Sequence, residues 1–297
     1  MEANRICSLC PRRCNAPRSL HSGDGFCKMG TIPRVARASL HMWEEPVISG
    51  KNGSGTVFFS GCTLRCVYCQ NHDISAKCFG REISCERLAQ IFFELEKAGA
   101  HNINLVTATH FVPAVIKAFE FYRPSVPVVY NCSGYESEQT INALAPFVDI
   151  WLPDFKYSDN GLAKALSGAA DYFEVAKKAI ALMASLAPDV VIENGIMKKG
   201  VIVRHLVLPG HTKNSLGVLE TLDEMFLSRN VLVSLMSQYT PEREVDDFPE
   251  LSRRVTKREY QKVFAKLSEL DFDGFAQEPS SAKKEYTPPF DLQGVLP

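Results

Sequence analysis

The chain has no apolar run of 18 or more residues, so no stretch of it reads as a membrane-spanning helix. Its opening, MEANRICSLCPRRC, lacks the apolar core of a secretory signal. Net charge is almost absent: 33 basic against 34 acidic residues leave −1 at pH 7, with an isoelectric point near 6.7. No global field therefore attracts nucleic acid or an anionic membrane. Internal repeats and low-complexity tracts are also missing. These absences lead us to expect a cytoplasmic protein with neither a membrane nor a nucleic acid among its partners. At 297 residues, one α/β barrel with an accessory segment fits as well as two domains.

What the chain does have is cysteine, ten in all. Without an export signal, this points to metal or redox chemistry rather than disulfides. Cys62, Cys66 and Cys69 share a C-x3-C-x2-C spacing within eight residues. Three thiolates leave a 4Fe-4S cluster one ligand short, and a metal with an open position is a place for substrate. The same three would also hold zinc with a fourth ligand such as His72. Position favours the catalytic reading, because the triplet follows a short apolar strand, Val57 to Phe59, and barrel enzymes put chemistry on the loops leaving the carboxyl ends of strands. Thiolate clusters need a reducing, oxygen-poor setting, so an anaerobic or facultative host is expected.

Cys7, Cys10, Cys14 and Cys27 form a second group with C-x2-C-x3-C-x12-C spacing. Four thiols are a complete ligand set, which suits a closed site holding zinc or an auxiliary 4Fe-4S cluster; spacing does not choose between them. Arg5, Arg12, Arg13, Arg18, Lys28, Arg34 and Arg37 outnumber Glu2 and Asp24 here, and this local positive charge would stabilise a thiolate-rich centre. Cys78, Cys85 and Cys132 stay unassigned, Cys132 reading as a small buried hydrophobe.

After residue 55, strand and helix patterns alternate as in βαβ units with a parallel sheet. The strands expected are Thr56–Ser60, Ile103–Val106, Val126–Tyr130, Val148–Leu152, Val201–Val207 and Val231–Leu235. A helix capped by Ser84 carries Leu88, Ile91, Phe92 and Leu95 at core spacing and stops at Gly99. Asp171 and Glu174 stand at capping-box spacing before a helix reaching Leu186. Thr256 and Glu259 form another box, ahead of Tyr260, Val263, Phe264, Leu267 and Leu270 at core-facing spacing. The division expected is a Cys-rich metal-binding segment at 1–54, a barrel core at 55–270, and an extended Pro-rich strap at 271–297.

In a parallel barrel the strand ends share one face, so distant polar residues converge there. The candidates are Thr107, Thr109 and His110 after the second strand, Asn131, Cys132 and Ser133 after the third, Asp154 and Lys156 after the fourth, and Ser237, Gln238 and Tyr239 after the sixth. Arg204, inside the fifth, must point into the barrel or remain costly. The plainer readings are a rim salt bridge for Asp154 and Lys156 and a turn start for Asn131 and Ser133.

The triplet, with Tyr68 before its last cysteine, resembles the signature of the radical S-adenosylmethionine (SAM) enzymes. The words HMWEEPVISG, GSGTVFFSGC, YCQNHDIS, NINLVTATHF, VVYNCSGYES, DIWLPDFKY, VIVRHLVLPG and LMSQYTP look more narrowly like the homologues of pyruvate formate-lyase activating enzyme, over about Cys7 to Leu270. The resemblance implies an incomplete (β/α)6 TIM-like barrel with a cysteine-rich N-terminal extension. It implies a 4Fe-4S cluster on Cys62, Cys66 and Cys69 that cleaves SAM reductively, giving a 5′-deoxyadenosyl radical that takes hydrogen from a substrate. It places Tyr68 at the adenine, Asn131 and Ser133 at the ribose, Asp154 and Lys156 at the methionine end, Arg204 on an anion, and Gln238 and Tyr239 against the adenosyl pocket. The Gly-Gly-Glu-type segment of many superfamily members is replaced by Thr107-Ala-Thr109-His110, whose hydroxyls can accept the bonds of the SAM amino group without a carboxylate's charge. The implied partners are a glycyl radical enzyme or another protein substrate, and a low-potential reductant such as flavodoxin or ferredoxin. A small molecule or RNA is the alternative acceptor. The non-enzyme alternative is an iron-sulfur electron carrier or a zinc-stabilised binding module.

Overall fold

The computed structural model describes residues 5–242, 245–277 and 288–297. In chain order its strands are β1 (Arg5–Ile6), β2 (Pro17–Arg18), β3 (Arg34–His41), β4 (Ser54–Phe59), β5 (Arg81–Glu82), β6 (Ile103–Val106), β7 (Val128–Cys132), β8 (Ile150–Pro153), β9 (Val191–Glu193), β10 (Ile196–Leu206), β11 (Leu232–Met236) and β12 (Gly274–Ala276). The helices are α1 (Pro46–Ser49), α2 (His72–Ser75), α3 (Cys85–Lys97), α4 (Val112–Phe121), α5 (Glu138–Leu144), α6 (Asn160–Ser167), α7 (Tyr172–Leu186), α8 (Thr212–Met225) and α9 (Lys257–Glu269).

The main sheet runs β12-β11-β10-β8-β7-β6-β4-β3-β5, with β9 hung on β10. From β4 to β12 every pairing on this path is parallel. The six strands expected from the sequence correspond to β4, β6, β7, β8, β10 and β11, and each lies beside its successor in the chain, the order of a TIM-like barrel. The sheet does not close: antiparallel β3 extends it beyond β4, and β12 extends it beyond β11. Neither added strand was expected.

Alternation along the strands sets the inside and the outside of the barrel. Tyr130, Trp151, Val203 and Val233 face the helices and join the large outer core. Their neighbours Val129, Ile150, Ile202 and Leu232 face the lumen, where they pack on Ile48 of α1. One step nearer the carboxyl ends, the lumen-facing residues turn polar: Asn131, Arg204 and Ser234. The short helix α1, opened by Pro46, thus plugs the lower lumen with Ile48 fully buried.

Ser84 caps α3 by accepting from the Arg87 N–H, and the Thr256–Glu259 box forms in full. Asp171 differs: its carboxylate makes no cap bond and instead accepts the Tyr135 hydroxyl at 2.6 Å. Phe264, expected in the core, is 44% exposed and stacks on Tyr260. The end of the expected strap crosses β3, with the Ala38 N–H donating to the Gln293 carbonyl at 2.8 Å and Arg37 paired to Asp291. Strap residues 278–287 lie outside the described residues.

Candidate active site

The loop after β4 carries the thiol triplet. It opens at Gly61, whose φ of +81° falls in the region that favours glycine. A Cβ there would stand 2.5 Å from Met29 Cγ and 3.0 Å from the Cys27 carbonyl oxygen, so Gly61 is also what admits the N-terminal segment to the base of the loop. Each thiol is free of disulfide bonding and receives a donor: the Leu64 N–H reaches Cys62 Sγ at 3.3 Å, the Ser167 hydroxyl reaches Cys66 Sγ at 2.9 Å, and the Ser75 hydroxyl reaches Cys69 Sγ at 3.4 Å. Burial pushes Cys62 up to about 12, with the nearby charges of Cys66 and Cys69 adding to it. Burial and Cys66 raise Cys69 likewise. Such thiols keep their protons unless a cation replaces them, and the sulfur-directed donors suit thiolates bound to metal. This donor set fits an iron-sulfur cluster.

Beside the loop lies a cavity of about 250 Å³ at the strand ends. It brings together Cys66, Tyr68, Cys69, Asn131, Asp154, Lys156, Arg204 and Gln238 from the sequence candidates. Asp154 is bonded to both cations, accepting from Arg204 Nε at 2.9 Å and from Lys156 Nζ at 2.5 Å. Both members of the Asp154–Lys156 pair are under a fifth exposed, so this is no rim salt bridge. Burial works to raise Asp154, but Arg204 and Lys156 prevail and hold it below the usual carboxylate range. Burial likewise works against the charge on Lys156, and Asp154 and Cys66 overcome it. Arg204 points into the lumen and spends its other nitrogens on Glu44 Oε2 at 3.1 Å and Asn131 Oδ1 at 2.6 Å.

Several candidates sit elsewhere. Thr107, Thr109, Ser133 and Tyr239 lie outside the cavity lining. Thr107 holds a left-handed φ of +61° just past β6. Thr109 is buried and donates to Glu136 Oε1 at 2.7 Å. The Ser133 carbonyl accepts from the Tyr172 hydroxyl at 2.8 Å, and the Tyr239 hydroxyl donates to the Leu251 carbonyl at 2.6 Å while its ring packs edge-on to Tyr68. His110 is buried, with Nε2 on the Ser60 carbonyl at 2.7 Å, and burial lowers it to about 4, so it stays neutral. Cys132 is buried in the outer core.

Sequence reasoning missed Glu44 and Glu45, which precede α1 and face the same cavity. Glu44 accepts from Asn104 at 3.2 Å and Asn131 at 3.3 Å in addition to Arg204. Burial raises both glutamates. The available signal was the pairing of two carboxylates with a following Pro-Val-Ile helix start.

In the N-terminal group, Cys10 and Cys27 are buried, Cys7 is half-buried and Cys14 is exposed. Burial pushes Cys10 up to about 12, against a bond from the Arg12 backbone. The Arg18 guanidinium contacts Cys7 Sγ at 3.6 Å.

An open parallel barrel with three free thiols on the loop after its first strand, beside a charged cavity, defines a class of cluster-dependent barrel enzyme. The description "Radical SAM superfamily" matches residues 56–222. An uncharacterized protein of Methanocaldococcus jannaschii is 30% identical over 281 residues, covering 90% of this chain and 75% of that protein. A radical SAM methyltransferase from Sphaerobacter thermophilus superposes with a TM-score of 0.52 at 14% identity, over 75% of this chain and 66% of that one. SuiB from Streptococcus suis, bound to S-adenosylmethionine, gives a TM-score of 0.49 at 11% identity, over 73% of this chain. The chain spans 48% of the length of SuiB. This chain belongs to the radical SAM superfamily, and its cofactors are accordingly a 4Fe-4S cluster and SAM. Among the described residues no helix is long and apolar enough to cross a membrane.

Proposed function

We propose that Cys62, Cys66 and Cys69 hold the cluster, that SAM lies across the thiol end of the cavity, and that the chain abstracts hydrogen from a substrate entering the lumen. One observation carries this reading: the buried Asp154–Lys156–Arg204 group and the thiols Cys66 and Cys69 line the same cavity. When bound, the cluster supplies the electron that cleaves SAM. The protein's part is binding and orientation. Lys156 offers its cation to the SAM carboxylate, Asp154 offers its carboxylate to the amino group, Asn131 offers its amide to the ribose, and Tyr68 and Gln238 border the adenine. The burial of Asp154, Lys156 and Arg204 would limit the water around a group bound there.

Activation of a glycyl radical enzyme is the finer form of this proposal, supported by the likeness of the sequence words, with a flavodoxin or ferredoxin as donor. Cys7, Cys10, Cys14 and Cys27 are proposed to hold a second centre.

After anaerobic reconstitution, we expect 5′-deoxyadenosine to form from SAM only when a reductant is present, and Cys66→Ala to abolish it. Turnover persisting in that variant, or an intact cluster that never cleaves SAM, would remove the assignment. For the second centre, metal analysis of Cys7→Ser, Cys10→Ser protein decides: loss of about four irons means a cluster, and loss of about one zinc means a staple.

A further inference from the structure

The cavity sets three carboxyls, Glu44, Glu45 and Asp154, against two cations, Lys156 and Arg204, and burial favours the neutral form of both glutamates until a further cation joins them. Asp154 takes Arg204 Nε and Lys156, and Glu44 takes Arg204 Nη1. The remaining guanidinium nitrogen goes to Asn131. Glu45, the third carboxyl, is only 7% exposed and, among the described residues, makes no ion-pair contact of its own, the already engaged Arg204 acting on it only through space. The Ser234 hydroxyl reaches its carboxyl, yet Oε2 is buried without a hydrogen-bond partner. His41, the histidine on the cavity wall, has its charge disfavoured by burial and by Arg37. A buried carboxyl oxygen with no donor is an unmet acceptor in the wall of the cavity.

The direction of the site follows from topology. Glu45 immediately precedes α1, whose Ile48 closes the lumen below, and it neighbours Ser234 of β11. Cys66, Cys69 and Lys156 line the same cavity from the thiol loop and the end of β8. On the SAM placement proposed above, on which this inference rests, Glu45 is left facing what lies in the lumen beside SAM. We propose that Glu45 binds an ammonium group of the substrate, so that the substrate class is an amine, free or as a lysine-like side chain. The only chemically equivalent source is the amino group of SAM itself, and the test separates the two.

The cluster-loaded protein, kept oxidised and saturated with SAM so that no turnover occurs, is titrated calorimetrically with n-butylammonium, butan-1-ol and butyrate. We expect butylammonium to bind, the neutral and anionic isosteres to bind at least about tenfold more weakly, and Glu45→Gln to lose about tenfold in butylammonium affinity while SAM affinity changes much less. Absence of butylammonium binding, equal binding of butan-1-ol, or an unaltered affinity in Glu45→Gln overturns the proposal. An equal loss of SAM affinity in that variant also overturns it and gives the carboxylate to SAM. If Glu45→Gln fails to fold, the charge discrimination in the native protein still decides. Failure of the SAM placement itself is seen separately, as absence of SAM binding before any amine is added.

Discussion

Glu136 shows how a single buried carboxyl shapes behaviour away from the cavity. It is 3% exposed and accepts the Thr109 hydroxyl at 2.7 Å and the Tyr130 hydroxyl at 3.1 Å. Burial outweighs those bonds and raises it from 4.5 to about 8. The folded chain therefore keeps a proton that the unfolded chain releases above pH 4.5. No penalty exists below that pH; it grows as pH rises to 8 and is constant above. Glu136→Gln cannot ionise, so its stability relative to wild type should improve steadily as pH rises from 4.5 toward 8, by a few kcal/mol in all. Denaturant titrations at pH 5, 6.5 and 8 measure this, and a gap independent of pH would contradict it. The same residue explains where the sequence was ambiguous. Strand-end logic found Asn131, Asp154, Lys156 and Arg204, because a parallel strand sends alternate residues to one side. It could not separate them from Thr109, which follows β6 in a short 3-10 turn, Thr109–Phe111, where alternation no longer holds and the hydroxyl is carried to Glu136. Glu44 and Glu45 escaped for a related reason: they come from a segment before the first parallel strand, outside that logic.

At the level of elements, apolar runs made the six parallel strands legible, and capping chemistry made α3 and α9 legible. The edge strands were not. β3 reads RVARASLH, with Arg34 and Arg37 breaking the apolar signal, and it is completed by contacts to the distant tail. β12 has only three residues, and its place beside β11 depends on long-range pairing. The least legible element is α1, four residues long, which owes its importance to position: Ile48 meets Val129, Ile150 and Ile202 in the lower lumen. Ile48→Ala removes three methyl or methylene groups from a fully buried site that strands on several sides hold in shape, so little relaxation is available. It should cost about 2–5 kcal/mol, read from urea midpoints. Because α1 directly follows Glu44 and Glu45, the variant should also lower the affinity for SAM or butylammonium more than the same truncation made in the outer core, Ile180→Ala on α7. Equal effects from the two substitutions would mean that α1 does not position the carboxylates.

Across the whole molecule, the Cys-rich segment is tied to the cluster loop through Arg12. That residue lies between Cys10 and Cys14, and its guanidinium donates to the Thr63 carbonyl at 2.8 Å, to the Ser167 carbonyl at 2.6 Å and to the Gly168 carbonyl. Thr63 lies inside the thiol loop, and the Ser167 hydroxyl is the donor to Cys66 Sγ. The Phe26 ring covers the guanidinium at 4.0 Å, next to Cys27. One side chain thus joins both cysteine groups and the end of α6. Charge-assisted bonds to carbonyls lose strength when either partner is removed, but here the consequence is local, because the barrel's own pairings do not pass through Arg12. Arg12→Ala should leave the sheet protected from hydrogen exchange while amides of residues 62–69 and 166–168 exchange faster, by about tenfold or more. It should also hasten loss of iron from the thiol loop on exposure to a chelator. Lysine at this position, with a point charge and no planar fork, should restore little of the protection. Unchanged exchange in both segments would show that the two cysteine groups hold their places independently, and that the contact is packing without mechanical consequence.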